Sequence, residues 1–248
     1  MPEAILDIDI GNTFTKWRFD EGPIHRAQSE RQILSSSTLG SAIKNADLVR
    51  LSAVGPSEVQ SVISAACQTE GVSIWEANTH HPSQLSHFYP NPEQLGVDRW
   101  LGLLAIRGRL EADNILLVSC GSALVIDLLS GHRHLGGFIA PGLKVMVDAI
   151  NQNLVLPELS IDGHATLKPG GSSLDCMKSG VLLNMVGAIE RASKFFPKTD
   201  YACAITGGDA ELVAPLLSHS SVKVDNLVLD GLAIQYNEWA DRQKGSLQ

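Results

Sequence analysis

Ala4-Ile5-Leu6-Asp7-Ile8-Asp9-Ile10-Gly11-Asn12-Thr13 opens the chain with apolar and acidic residues in alternation, then breaks into a glycine turn. Period-two alternation predicts a β-strand, and Gly11-Asn12 favours a reversal, for which Phe14 to Phe19 supplies the returning strand. The design recurs further on. Ile115-Leu116-Leu117-Val118-Ser119-Cys120-Gly121-Ser122 again runs from an apolar strand into a glycine turn, and Leu124 to Leu129 returns. Two such openings about half a chain apart predict a duplicated α/β unit.

Working outward from the first opening, a Ser-rich polar stretch precedes a helical segment over Thr38 to Ala46, and Leu48 to Val54 reads as a buried strand. Val59, Val62, Ile63 and Ala66 give Ser57 to Thr69 a helical period, and Val72 to Trp75 is a short strand. Residues 77–94 carry three His and three Pro without periodicity, and long irregular loops of this kind tend to be functional. A helix opens at Asp98, and the polar run Arg107 to Asn114 predicts the boundary between halves 1–113 and 114–248. In the second half, His134 to Gly142 reads as a strand ending in a Pro-Gly turn, with a helix from Leu143 to Ile150. A second long loop, Pro157 to Ser173, leads into a helix over Leu174 to Lys194. Tyr201 to Thr206 reads as a strand whose Gly207-Gly208-Asp209 turn opens a further helix, and Leu227 to Trp239 as a strand leading into a terminal helix.

Bulk properties narrow the function. With 44% hydrophobic and 19% charged residues in 248, the composition is that of an ordinary globular protein able to bury a sizeable core. A formal net charge of −8 argues against a nucleic-acid partner, whose phosphates call for a basic footprint, but not against ATP. No run approaches the roughly twenty apolar residues of a bilayer span, so no membrane partner is expected. Met1-Pro2-Glu3-Ala4 has no basic n-region, so no secretory signal is expected and the cytoplasm is the predicted compartment. Cys67, Cys120, Cys176 and Cys203 form no C-x-x-C pair and read as reduced thiols.

The chemistry concentrates in a few places. A carboxylate at a strand end, Asp9, suits a hydrated Mg²⁺; Gly11 lets phosphate approach the backbone, and Asn12, Thr13 and Lys16 supply donors. When the motif stands alone, a plain hairpin turn is the better account of such residues. Gly121-Ser122 and Gly207-Gly208 also follow apolar strands, and the three turns together favour phosphate binding. No Walker loop is present. Asp98, in Gly96-Val97-Asp98-Arg99-Trp100, reads either as a helix cap or as a general base beside a cationic donor, Arg99. His132 and His134 are expected on a solvated hairpin face; His80, His81 and His87 are expected at the surface. Asp7, Asp127 and Asp209 read as supporting groups, turn formers or caps.

Taken in order, Asp9-x-Gly11-Asn12-Thr13, Gly96-Val97-Asp98-Arg99-Trp100, Leu135-Gly136-Gly137-x-Ile139-x-Pro141-Gly142 and Thr206-Gly207-Gly208-Asp209-Ala210 closely resemble the type III pantothenate kinases, members of the acetate and sugar kinase/Hsp70/actin superfold. The resemblance runs along nearly the whole chain. It implies two duplicated ribonuclease-H-like halves around an interdomain nucleotide cleft, with ATP as phosphoryl donor and Mg²⁺ as cofactor. It also implies a homodimer with the vitamin pocket near the subunit interface, and phosphorylation of pantothenate to 4′-phosphopantothenate, the first committed step of coenzyme A synthesis. By the family pattern Asp98 is the general base, Gly96, Arg99 and Tyr89 line the pantothenate site, and Ser173 stands where a threonine reaches pantothenate from the partner subunit.

One segment departs from the pattern. The family's Asp-x-Gly-Thr-Ala-x-Thr is here Ser119-Cys120-Gly121-Ser122-Ala123-Leu124-Val125, so the carboxylate expected to hold a monovalent cation, K⁺ or NH₄⁺, is a serine. That loss keeps open a first alternative, a non-catalytic or regulatory relative of the transcriptional-activator type, and a second stands beside it, another small-molecule kinase or a phosphatase of the superfold. Gly96 to Trp100 disfavours the second.

Overall fold

Strand β1, Ile5–Ile10, is buried on both faces. Leu6, Ile8 and Ile10 point into an apolar core, while Asp7 and Asp9, on the opposite face, are also withdrawn from solvent. The alternation that in an open sheet marks a solvated face marks here a polar interior. A computed structural model describes this arrangement for residues 3–28, 37–155, 157–161, 166–196 and 200–245. By contacts the chain divides into two units, Met1–Arg109 with Asn226–Gln248, and Leu110–Asp225.

In the first unit, β1 is joined by β2 (Thr15–Phe19) and β3 (Ile24–Ala27) in antiparallel pairing. After α1 (Ser37–Asn45), strand β4 (Leu48–Ala53) pairs parallel with β1; after α2 (Ser57–Glu70), β5 (Ser73–Glu76) pairs parallel with β4. The sheet order is β3-β2-β1-β4-β5. Leu39 and Ile43 of α1 and Val59, Ile63 and Cys67 of α2 pack on the apolar face of β1 and β4. Strand β3 is absent from the sequence-based expectation because His25 and Arg26 break its apolar pattern, and the Ser-rich stretch that follows lies largely outside the described residues.

The opposite face is covered from far along the chain. Helix α3 (Val97–Arg109) and the terminal helix α7 (Leu227–Gly245) pack against each other, and α7 also contacts β1 and β4. A division at 113/114 puts α7 in the second half; the structure puts it in the first unit, where Asp230 pairs with Arg18 at 2.7 Å and also with Arg109. The strand expected at Leu227 is likewise corrected. Leu227, Gly231, Leu232 and Gln235 are buried at helical spacing, and the segment is helix from its start.

The second unit repeats the connectivity. Strands β6 (Asn114–Cys120), β7 (Ala123–Ser130) and β8 (Arg133–Pro141) form an antiparallel meander. Helices α4 (Leu143–Asn153) and α5 (Ser173–Ser193) follow, and β9 (Ala202–Thr206) pairs parallel with β6. Next come a single turn, α6 (Ala210–Val213), and a two-residue strand, β10 (Val222–Lys223), parallel to β9. The order β8-β7-β6-β9-β10 is that of the first sheet, strand for strand. Its core joins Leu116, Val118, Leu124 and Ile126 to Val181, Met185 and Ile189 of α5.

Two histidine expectations fail here. His134 is fully buried, 0% exposed, where the carboxylate of Asp127 on the neighbouring strand gives its ring a polar partner, Nε2 lying 2.9 Å from Oδ1. His81 and His87 are half-buried: His81 stacks on Trp75 at 5.2 Å, and His87 meets Trp100 edge-on. Among the described residues no helix is long and apolar enough to cross a membrane.

Candidate active site

Asp9, next to the last residue of β1, lies opposite Lys16 on β2 and Ser52 on β4. Gly11 donates its N–H to Phe14 O at 3.0 Å to tighten the turn, leaving Asn12 and Thr13 exposed at its tip. Asp9 is 8% exposed, and its Oδ1 has no hydrogen-bond partner. Burial raises its pKa to about 7; Lys16 opposes the rise, the Asp98 charge adds to it, and the neighbouring Ser52 hydroxyl opposes it, although Ser52 Oγ makes no hydrogen bond of normal geometry. Held in no ion pair among the described residues, the Asp9 carboxylate keeps an oxygen available to a hydrated cation, so Asp9 fits Mg²⁺.

Asp98 lies in the first turn of α3. Its Oδ1 accepts the N–H of Arg99 at 2.8 Å, so it does serve the helix start, from inside the first turn rather than from the cap position. Gly96 makes room for it: a Cβ there would stand 2.7 Å from Asp98 Oδ1. Arg99 Nη1 donates to Tyr89 Oη at 3.1 Å, and the guanidinium lies 5.7 Å from the Tyr89 ring centroid. The irregular loop over 77–94 is held in place to present that tyrosine. Thr79 donates to Pro92 O, Gln235 of α7 donates to Asn78 O, and His87 Nδ1 lies 3.1 Å from Tyr89 O.

The structure thus brings Asp9, Gly11, Asn12, Thr13 and Lys16 together at one turn, Gly96 with Asp98, and Tyr89 with Arg99. It also sets Asp98 near enough to Asp9 for their charges to interact. Two participants escaped the sequence reading. Ser52 is a small buried polar residue on β4, two positions after Arg50, and Gly55 supports the Asp9 turn, since a Cβ there would meet Gly11 O at 2.4 Å. The Gly55-Pro56 pair after the strand was the available signal.

In the second unit the glycine turns also meet. Gly207, at φ +99°, packs on the Cys120 carbonyl, where a Cβ would come within 2.2 Å. Asp209 N donates to Cys120 O at 3.1 Å, and Gly142 N donates to Ser122 O at 3.2 Å. Gly121, Ser122, Gly207 and Gly208 therefore share one end of the second sheet, with Ser122, Gly207 and Gly208 exposed. The helix expected after Gly207-Gly208-Asp209 is only a four-residue turn, too short to contribute an appreciable dipole. Burial pushes the Cys120 thiol up to about 12, leaving it inert. Ser119, on β6, is flanked by Val125 and Thr206, and among the described residues no group of three His, Cys, Asp or Glu could hold a metal. Ser173 is the exposed first residue of α5, whose cap is Ser172, accepting from Asp175 N at 3.1 Å.

Comparison with known proteins identifies the family. The sequence profile of the family described as Type III pantothenate kinase matches residues 5–194. A type III pantothenate kinase of Acinetobacter baylyi is 34% identical over 242 residues, covering 92% of this chain and 95% of its own. Among solved structures, a Campylobacter jejuni protein assigned to the Baf family of transcriptional activators superposes with a TM-score of 0.68 at 19% identity, covering 95% of this chain and 99% of its own. MreB 5 of Spiroplasma citri, bound to AMPPNP, superposes with a TM-score of 0.51 at 8% identity over 100% of this chain and 98% of its own, which places the fold among the actin-like ATPases. A profile that takes in both the Asp9 turn and the Asp98 helix, and a relative matched along almost the entire length, establish that the chain belongs to the type III pantothenate kinase family.

Proposed function

We propose that the protein phosphorylates pantothenate to 4′-phosphopantothenate with ATP as donor, the step that commits pantothenate to coenzyme A synthesis. The observation that carries this reading is the pairing of two carboxylates with different surroundings: Asp9, buried and unpartnered at a glycine turn, and Asp98, seated over Gly96 beside the Arg99–Tyr89 pair. Phosphoryl transfer asks for alignment and charge neutralisation more than for covalent help. Asp98 accepts the proton of the pantothenate hydroxyl as its oxygen bonds to the γ-phosphorus and the bond to ADP breaks. Arg99, held by Tyr89, orients the substrate, and Gly96 keeps the approach to Asp98 open. Asn12, Thr13 and Lys16 steady phosphate oxygens at the exposed turn. Mg²⁺ bound at Asp9 would neutralise charge on the phosphates.

Ser119 does not fit a carboxylate-held monovalent-cation site: it offers a neutral hydroxyl between Val125 and Thr206. A homodimer is part of the proposal. Strand β8 is a sheet edge that exposes Phe138 and Ile139, and Phe138 lies 5.5 Å from the exposed Phe195. Such an edge is a pairing liability that a second copy would cover, and the partner's contribution at Ser173 belongs to the same reading. The cytoplasm, where reduced thiols such as the buried Cys67, Cys120 and Cys203 persist, is the proposed compartment.

The test is direct. Purified protein with ATP, Mg²⁺ and pantothenate should release ADP and 4′-phosphopantothenate, with rates in K⁺, NH₄⁺ and Na⁺ salts within about twofold of one another. No product in any salt would sink the kinase reading in favour of a regulatory relative.

A further inference from the structure

Two buried polar atoms without hydrogen bonds face one another across β1 and β4. Asp9 and Ser52 are register partners in the parallel pairing, so their side chains emerge on the same face of the sheet. Ser52 is 0% exposed, and neither its Oγ nor Asp9 Oδ1 makes a hydrogen bond of normal geometry, although the hydroxyl lies near enough to favour the ionised carboxylate. With the residue withdrawn from solvent, a hydroxyl here is not filling a solvated position. A buried hydroxyl without a bond costs about 1–3 kcal/mol, and a buried carboxylate oxygen costs more. Placing the two side by side makes sense where the pair closes up in the working state of the site.

We propose that Ser52 is a positioning residue: its hydroxyl donates to Asp9 and fixes the carboxylate so that its other oxygen faces the divalent cation. The inference rests on the reading of Asp9 as the Mg²⁺ carboxylate. The rest of that face supports it. Two residues earlier along the same strands, Asp7 is held in just this manner, by Arg50 Nε at 2.6 Å and Nη2 at 3.0 Å from its register position on β4. Rung by rung, β4 orients the carboxylates of β1: a guanidinium holds Asp7 permanently, while a neutral hydroxyl at Asp9 leaves the negative charge available to a cation. Ligating carboxylates are commonly held by such a neighbouring donor, and removing it typically weakens metal binding 10–100-fold.

The experiment is binding of Mn²⁺ in the presence of a non-hydrolysable ATP analogue, followed by electron paramagnetic resonance, for the wild type, Ser52→Ala and Ser52→Thr. Ser52→Ala, shown to be folded by a cooperative melting transition, should bind Mn²⁺ about tenfold more weakly. Ser52→Thr should restore affinity to within about threefold of the wild type. In turnover, Ser52→Ala should shift the Mg²⁺ concentration for half-maximal rate by a similar factor while the KM for pantothenate stays within about twofold. Equal Mn²⁺ affinity in wild type and Ser52→Ala overturns the proposal, as does a rise in pantothenate KM without a change in metal dependence. A wild type that binds Mn²⁺ but does not phosphorylate pantothenate overturns the kinase reading alone, because the Mn²⁺ comparison is made without catalysis.

Discussion

Asp9 is costly to the fold in the absence of metal. Its pKa, raised to about 7 chiefly by burial, means that the folded state holds a proton which the unfolded chain releases near pH 4. Stability is therefore greatest at low pH within this window, falls as pH rises through about 7, and flattens above, where the ionised buried carboxylate costs at most roughly 4 kcal/mol. Asp9→Asn removes the titration. In metal-free buffer the variant should melt higher than the wild type at pH 8, with the gap narrowing by pH 5.5; a gap that widens on acidification would contradict the account. The Asp9 turn as a candidate phosphate and metal site was legible in the sequence, because its Asp-x-Gly-Asn-Thr run stands in company with two further glycine turns. Its isolation from other partners was not legible, because it depends on helices that arrive from distant parts of the chain. Asp98 shows the complementary case. Its sequence context fits both a helix cap and a base, and the structure shows it serving the helix start through Arg99 N while its charge reaches Asp9.

At the scale of elements, β1 owes its placement to an ion network as well as to its apolar face. Asp7, almost fully buried, accepts from Arg50 and from Arg18, and Arg18 in turn reaches Asp230 and Leu229 O on α7. Removing the acidic member leaves the buried Arg50 guanidinium uncompensated while Arg18 keeps Asp230, and breaking such a buried pair typically costs 3–5 kcal/mol. Asp7→Ala should accordingly lower unfolding free energy by about 3–5 kcal/mol in chemical denaturation; a loss under about 1 kcal/mol would show that solvent or relaxation replaces the pair. Strands flanked by glycine turns were read correctly because period and punctuation agree there. The terminal segment was misread at its start, since Leu227-Val228-Leu229 alone does not separate strand from helix, and only the burial of Gly231, Leu232 and Gln235 along one helical face decides it. Strand β10, two residues long, has no sequence signature, and its pairing with β9 is set by the sheet.

At the scale of the molecule, the duplication announced by the two glycine-turn openings is borne out in strand order, since both sheets run through the same five-strand sequence of neighbours. What no local pattern could show is that the last helix belongs with the first unit, because that choice is made by tertiary contacts: Asp230 to Arg18 and Arg109, and Gln235 to Asn78. The exposed apolar residues of β8 lead to a prediction of assembly. The protein should sediment as a dimer, and Ile139→Lys, which puts a charge on a residue 64% exposed in the single chain, should shift it to monomer without lowering helix content; a wild type that sediments as monomer at micromolar concentration would contradict the assembly. The most direct test of the whole account remains at Asp98. In the pantothenate phosphorylation assay, Asp98→Asn should lose about 10²- to 10⁴-fold in kcat while its KM for pantothenate and its melting temperature stay close to the wild type. A variant that turns over within tenfold of the wild type would show that Asp98 is not the base.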